Sequence, residues 1–193
     1  MGRLHGLVLK LILASASPRR RAILRAAGMS FTIDPSGVDE NIRESNPRRL
    51  VVKLARLKAL DVAKRHRGRL VLGADTIVVC KGHILGKPKN LKDAVRMITL
   101  QSGAWQRVYT GVALVAGRRV YTDLAISKVK ARRLDDARLR SLAGKHMDKA
   151  GGYAVQDRKD PLVERIVGDR DNVVGLPMRS VRRLLSRARR PAS

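Results

Sequence analysis

Leu11-Ile12-Leu13-Ala14-Ser15-Ala16-Ser17-Pro18-Arg19-Arg20-Arg21 is the stretch from which the fold is read. An apolar run from Leu7 to Ala14, broken only by Lys10, gives way to two serines and Pro18, after which Ile23, Leu24 and Ala27 recur at helical spacing. That order spells strand, short loop, helix. Ser17 suits the N-cap, Pro18 suits the first helical position, where a missing N–H costs nothing, and Gly28 suits the C-terminal cap. Arg19, Arg20 and Arg21 then occupy the first turn, where the helix dipole already presents partial positive charge. An anion resolves that conflict, because backbone N–H groups, two serine hydroxyls and guanidinium forks converge at one helix start. A solvated basic turn in a chain that is basic throughout accounts for the same residues without a ligand.

The chain has 193 residues, 44% of them hydrophobic, enough for a core in one domain or in two small lobes about a cleft. We expect a single domain over residues 1–193. Lysine and arginine number 42 against 16 acids, and the resulting charge of +26 favours anionic partners such as nucleotides, nucleic acid or an acidic surface. The five aromatic residues, Phe31, Trp105, Tyr109, Tyr121 and Tyr153, are not interleaved with basic residues along the chain as a base-stacking platform requires. Cys80 stands alone, which excludes an internal disulfide and, with four scattered histidines, a zinc site; a cytoplasmic setting is expected. Arg3, the apolar run and Ala14-Ser15-Ala16 imitate a signal peptide, but Lys10 interrupts the run and three arginines follow the would-be cleavage point. No stretch approaches the ~18 to 20 apolar residues of a membrane span, so no membrane partner is expected.

Further along, Phe31-Thr32-Ile33 reads as a strand entering a loop, Pro35 to Asn41, where Asp39 and Glu40 either hold a metal-bound water or ribose hydroxyl or face solvent. Asn46-Pro47 opens the longest helix, which carries Leu50, Val51, Leu54, Ala55, Leu57 and Val62 on one arc and is stopped by Gly68. Lys58 falls inside that arc and Asp61 at its edge, and the plainest expectation is that the two pair. Leu70 to Val79 reads as a buried strand interrupted by Asp75, whose charge needs a partner, a metal or a catalytic task. Gly73 beside it marks the close approach of a backbone or a ligand. Lys81-Gly82 is a turn, Lys87 sits in a Gly/Pro-framed loop, and Asn90 with Asp93 caps a helix over Leu91 to Leu100. Val108 to Val129 reads as two alternating strands about a turn at Ala116-Gly117. Their inward sets are Val108, Thr110, Val112, Leu114 and then Val120, Thr122, Leu124, Ile126. A helix from Asp135 to Ala143 precedes the glycine-rich Asp148 to Gln156, whose terminal amide suits a nucleobase edge. Leu162 to Val167 and Asn172 to Pro177 resemble a final hairpin-like pair. The last helix carries Val181, Leu184, Leu185 and Ala188 on one side and six arginines elsewhere.

Six segments taken together resemble the Maf-type nucleoside triphosphate pyrophosphatases over nearly the whole chain. They are Ser15-Ala16-Ser17-Pro18-Arg19-Arg20, Gly73-Ala74-Asp75-Thr76, Gly86-Lys87-Pro88, Ser102-Gly103 with Val108-Tyr109-Thr110-Gly111, Asp148-Lys149-Ala150-Gly151 through Gln156, and Val173-Val174-Gly175-Leu176-Pro177. The resemblance implies an α/β fold with a mixed central sheet, flanking helices and two lobes around a nucleotide-binding cleft, as in the inosine-triphosphatase-like enzymes. It implies hydrolysis of a nucleoside triphosphate to monophosphate and pyrophosphate with a divalent cation, Mg²⁺ or Mn²⁺, and a homodimer. By position it makes Asp75 the catalytic proton acceptor and Ser15, Arg19, Arg20, Lys58 and Lys87 ligands of the triphosphate. Glu40 matches a functional acid, Arg19, Thr76 and Gln156 match specificity positions, and Asp75 and Glu40 are the candidates for metal. The Asp-Lys-Ala-Gly stretch leading to a glutamine is similar to the branch acting on dTTP and UTP rather than 7-methyl-GTP. Gln106, where a histidine is common, and Asp169-Arg170-Asp171 depart from the pattern. Two rivals stand beside this reading. One is a basic nucleic-acid-binding protein with its affinity in the C-terminal helix and a vestigial cleft; the other is a pyrophosphatase of the same fold acting on other nucleotides such as 7-methyl-GTP or ITP.

Overall fold

Short polar caps divide the apolar runs into elements, as the first stretch illustrates. The computed structural model describes residues 11–153 and 161–190; Leu7 to Lys10 of the first run and Gln156 lie outside them. β1 (Leu11–Leu13) leads through the two serines into α1 (Pro18–Ala26), where the Ser17 hydroxyl accepts from the Arg20 N–H. At the far end Gly28, at φ 69°, carries the chain out of the helix while the Gly28 and Met29 N–H groups bond back to Arg25 and Leu24. β2 (Phe31–Ile33) follows, and then α2 (Pro47–Arg65), capped by the Asn46 side chain with Pro47 in the first turn. β3 (Leu70–Cys80) turns back into β4 (His83–Leu85) through Lys81 and Gly82, both at positive φ, the geometry a tight hairpin demands. α3 (Leu91–Gln101), β5 (Trp105–Ala116), β6 (Arg119–Ala131) and α4 (Asp136–Leu142) come next. A 3-10 turn at Ala150–Gly152, β7 (Val163–Val167), α5 (Arg170–Val174) and α6 (Met178–Arg189) complete the described chain.

Seven strands among the described residues form one sheet in the order β2-β1-β3-β5-β6-β7, with β4 also paired to β3. β1 runs parallel to β2 and β3 while the other pairings are antiparallel, so the sheet is mixed. The long strands β3, β5 and β6 pass from one lobe to the other. In the first lobe Leu13, Leu72 and Leu114 pack against Leu24 of α1 and Leu184 of α6. In the second, Val78, Val108 and Val129 pack against Ile98 of α3 and Leu139 of α4. α2 covers the opposite face, where Ala55, Ala59 and Val62 meet Val71, Ala113 and Val115. It lies unusually close to the sheet. A Cβ at Gly73 would stand 2.3 Å from the Ala55 carbonyl oxygen, and one at Gly111 2.3 Å from that of Val51. The backbone that needs Gly73 is therefore that of α2.

Three local expectations are corrected. β5 is buried on both faces from Val108 to Val115, so no inward and outward set exists there; α2 covers one side and the α1/α6 core the other, and a strand covered twice shows no alternation. The turn that follows is Gly117-Arg118, since β5 runs on to Ala116. Asn172 to Pro177 is not a strand. Asp169 caps α5 by accepting from the Asp171 and Asn172 N–H groups, Gly175 at φ 118° ends it, and β7 pairs with β6 instead. A short apolar run reads the same as strand or buried helix, and here the capping carboxylate decides.

Replacing Gly111 with alanine is expected to lower stability by about 1–3 kcal/mol, since α2 must lift from the sheet to admit the methyl group. A urea midpoint equal to that of the unchanged protein would show that the helix yields freely.

Candidate active site

Unequal strand lengths open the cleft. On one edge of β3, β1 pairs only as far as Leu72 and β4 begins only at Val78, while β5 continues along the other edge throughout. Gly73 to Ile77 thus have no strand partner on that edge among the described residues. The gap contributes to a cleft of about 940 Å³. Successive strand residues point to opposite faces, so Asp75 enters beneath α2 and Thr76 from the α1 side, yet both line the same cleft.

The close approach of Ala55 and Ala59 to Gly73 brings Lys58, on the same turn of α2, against the next residue on that face, Asp75. Both are buried, at 7% and 6% exposure. The Lys58 ammonium lies 2.7 Å from Asp75 Oδ1 and 3.0 Å from Glu40 Oε1. The expected pairing of Lys58 with Asp61 is not formed. Asp61 instead accepts from Ser36 Oγ at 3.0 Å and the Gly37 N–H at 3.1 Å, and meets Arg65 at 3.4 Å. A buried ammonium gains far more from a buried carboxylate than from one at the helix surface, where solvent screens the attraction. Glu40 is likewise not merely solvated. Partial burial works to raise its pKa, but Lys58, then Lys87 and Arg20, hold it below the ordinary carboxylate value.

One ammonium between two carboxylates leaves a net negative charge. Among the described residues no group of three or more His, Cys, Asp or Glu could cage a metal ion. Two carboxylates facing an open cleft are nevertheless a donor set that suits Mg²⁺, which uses one or two protein carboxylates and takes its other ligands from water and phosphate.

The opposing charge comes from the loop read first. Arg20 donates from Nε to the Gly175 carbonyl at 2.9 Å, from Nη1 to Ser15 Oγ at 3.0 Å and from Nη2 to Thr76 Oγ1 at 3.2 Å. Three of its five N–H groups are thereby committed and two remain. Burial lowers its pKa against the pull of Asp75. From Thr76 the network runs inward: its hydroxyl lies 3.0 Å from that of Thr110, which donates to the Asn172 carbonyl at 3.1 Å. Asn172 Nδ2 in turn donates to the Val108 carbonyl and to Ser127 Oγ, and Ser127 donates to the Asp169 carbonyl. Arg19 differs. Its Nε is buried with no hydrogen-bond partner among the described residues, and burial lowers its pKa against the attraction of Asp148 and Tyr153. Lys87 lies exposed at the rim, on a loop docked to the 3-10 turn by the Gly151 N–H and the Gly86 carbonyl. A cationic wall facing a carboxylate–ammonium–carboxylate group suits a polyphosphate.

The family model described as Maf-like protein matches residues 10–188. The chain belongs to the Maf family. A dTTP/UTP pyrophosphatase of Elusimicrobium minutum is 48% identical over 88% of this chain and 94% of that protein. One of Thermomicrobium roseum, of the same description, is 46% identical over 95% of this chain and 86% of that protein. A solved nucleoside-triphosphatase, dITP/XTP pyrophosphatase, of Mycobacterium abscessus aligns over 93% of this chain and 95% of its own at 15% identity and a TM-score of 0.45.

In this Maf chain Ser15, Arg19, Arg20, Glu40, Lys58, Asp75, Thr76 and Lys87 all line the one cleft. Gln156 lies outside the described residues. Sequence reasoning missed Arg96, which also lines it, singled out the stretch holding Asp148 and Tyr153 without giving either a role, and read Asp93 only as a helix cap. Arg96 bonds Asp93 at 2.8 Å one turn away, and nothing in the period of α3 marks that surface pair as facing a cleft. Thr110 and Asn172 lie inside or beside two of the six segments that carry the family resemblance, which was the available signal for the polar network.

Because the folded pKa of Glu40 is depressed, its contribution to stability is present above the ordinary glutamate value of about 4.3 and is lost as pH falls through the lower folded value. Glu40→Gln is expected to flatten the fall in urea midpoint below about pH 4.3. Identical acid limbs would mean that Lys58 does not engage Glu40 in solution.

Proposed function

We propose that this chain hydrolyses dTTP and UTP between the α and β phosphates, releasing the monophosphate and pyrophosphate. The observation that carries the reading is a buried carboxylate, Asp75, sharing the Lys58 ammonium with Glu40 in the same cleft as Arg19, Arg20 and Lys87. Two relatives that bear the name dTTP/UTP pyrophosphatase, at 48% and 46% identity over most of the chain, support the choice of base.

In the proposed reaction the triphosphate lies along Arg19, the two uncommitted N–H groups of Arg20, Ser15 and Lys87. Asp75 takes a proton from the attacking water as the water oxygen bonds to phosphorus. The bridging P–O bond breaks, its electron pair leaves with pyrophosphate, and the cationic wall neutralises the charge that develops. Lys58 holds the Asp75 carboxylate in place and keeps Glu40 beside it. Asp75 and Glu40 would also hold a Mg²⁺ or Mn²⁺ ion, which supplies charge neutralisation to the triphosphate when bound. Arg19 and Thr76 shape the specificity side of the cleft. Gln156 reads the pyrimidine edge, to which an amide can both donate and accept. Work on free nucleotides fits a cytoplasmic setting.

Asp75→Asn is expected to reduce pyrophosphate release from dTTP at least ~100-fold in protein still folded at the assay temperature, since general-base contributions run to about 10² or more, while loss of the charge opposite Lys58 lowers the thermal midpoint. Gln156→Ala is expected to narrow the preference for dTTP over dCTP by about tenfold, the scale of one lost hydrogen bond to a substrate atom. Faster turnover of ITP or 7-methyl-GTP than of dTTP and UTP would overturn the assignment.

A further inference from the structure

A second concavity, of about 560 Å³, lies on the second lobe and shares no lining residue with the cleft. Register builds it. Val79 on β3 lies opposite Arg107 on β5, Arg107 opposite Lys128 on β6, and Lys128 opposite Val167 on β7, so the four stand in one row across the sheet. Trp105, Lys130 and Arg165 form the next row on the same face. Lys81 reaches the site from the β3–β4 turn.

Two features separate this face from an ordinary solvated one. Trp105 and Val167 are 48% and 43% exposed, an aromatic and an aliphatic surface left open in the same concavity. Around them stand Lys81, Arg107, Lys128 and Arg165, with no acid in the lining and no ion-pair partner for any of the four among the described residues. Along the chain the aromatic residues are not interleaved with basic ones, but across the strands they are: Trp105 acquires its cations from β5, β6, β7 and a turn. The C-terminal helix is less free than its composition implies, since Arg183 pairs with Asp123 at 3.2 Å and Arg187 sits over the Tyr121 ring at 5.3 Å.

We propose that this face binds single-stranded nucleic acid, with a base stacked on Trp105 and the flanking phosphates neutralised by the four cations. The chemistry favours that occupant. A polyanion satisfies the charges, and only an unpaired strand also offers the flat apolar face of a base to the indole. A second copy of this chain would set cations against cations, and a duplex keeps its base faces stacked away from Trp105. The inference goes beyond the pyrophosphatase reading and does not depend on it.

Trp105 is the sole tryptophan, so its fluorescence reports the site directly. Titration of the full chain with oligo(dT) and oligo(U) of about 12 nucleotides should quench it, with affinity falling with salt at a log–log slope of roughly −2 to −3 for four neutralised phosphates. By anisotropy of a labelled strand, Trp105→Ala should bind roughly tenfold more weakly and Trp105→Phe nearly as well as the unchanged chain. The double variant Arg107→Glu, Lys128→Glu should lose both affinity and salt slope, and pyrophosphate release from dTTP should be unchanged in all three. Affinity unchanged from that of the parent chain in Trp105→Ala or in the double variant, equal binding of duplex, displacement of the strand by excess dTTP, equal quenching by poly-glutamate, or quenching by protein concentration alone would each overturn the proposal.

Discussion

The contact between Lys58 and Asp75 joins the helix that covers the sheet to the strand that opens the cleft. It exists because two glycines let α2 settle almost onto the backbone of β3 and β5. A carboxylate buried in a strand, without that ammonium, would cost several kcal/mol, and an ammonium on the apolar arc of α2 would cost as much. Each residue makes the other tolerable. The pair also constrains function. A fully neutralised pair would be structural only, whereas the approach of Glu40 to the same ammonium leaves the group anionic and turned towards the cleft.

The second organising element is a polar chain through the middle of the molecule, from Arg20 by way of Thr76, Thr110 and Asn172 to Ser127. It crosses the sheet region where the two lobes meet and ends on the carbonyl of Asp169, the residue that caps α5. The C-cap of that same helix, Gly175, accepts from Arg20 at the other end. Five elements, α1, β3, β5, β6 and α5, are thus tied together by hydrogen bonds that a low-dielectric surrounding strengthens and makes costly to leave incomplete. This explains how a short, five-residue helix far along the chain helps to place a guanidinium in the first turn of α1.

Charge is partitioned within this arrangement. In the cleft, cations oppose carboxylates and many are already engaged, as with Arg20, Lys58 and Arg96. On the open sheet face of the second lobe, four cations stand around an exposed indole without acids among the lining residues. A formal charge of +26 is therefore not one property but at least two local ones.

Caps, turns and element order were legible along the chain, because Ser17, Asn46, Asn90 and Asp135 act on N–H groups within three residues of themselves. Asp75 and Lys58 were legible as misfits, since a charge in an apolar pattern is visible without knowing its partner. Their pairing was not: a neighbour at i+3 lay in view, and the true partner was 17 residues away on another element. The alternation expected along β5 vanished for a tertiary reason, because both faces are covered. Asn172 to Pro177 was misread for a local one: its cap, Asp169, lies only three residues ahead of the run, but a short apolar segment outweighed it. Sequence by itself determined which residues could carry chemistry and which short segments would turn, cap or run straight. Tertiary structure alone decided which charges meet, that a gap between two short strands would become a cleft, and that cations scattered over four segments would ring one tryptophan, because those outcomes depend on distances that no local interaction sets.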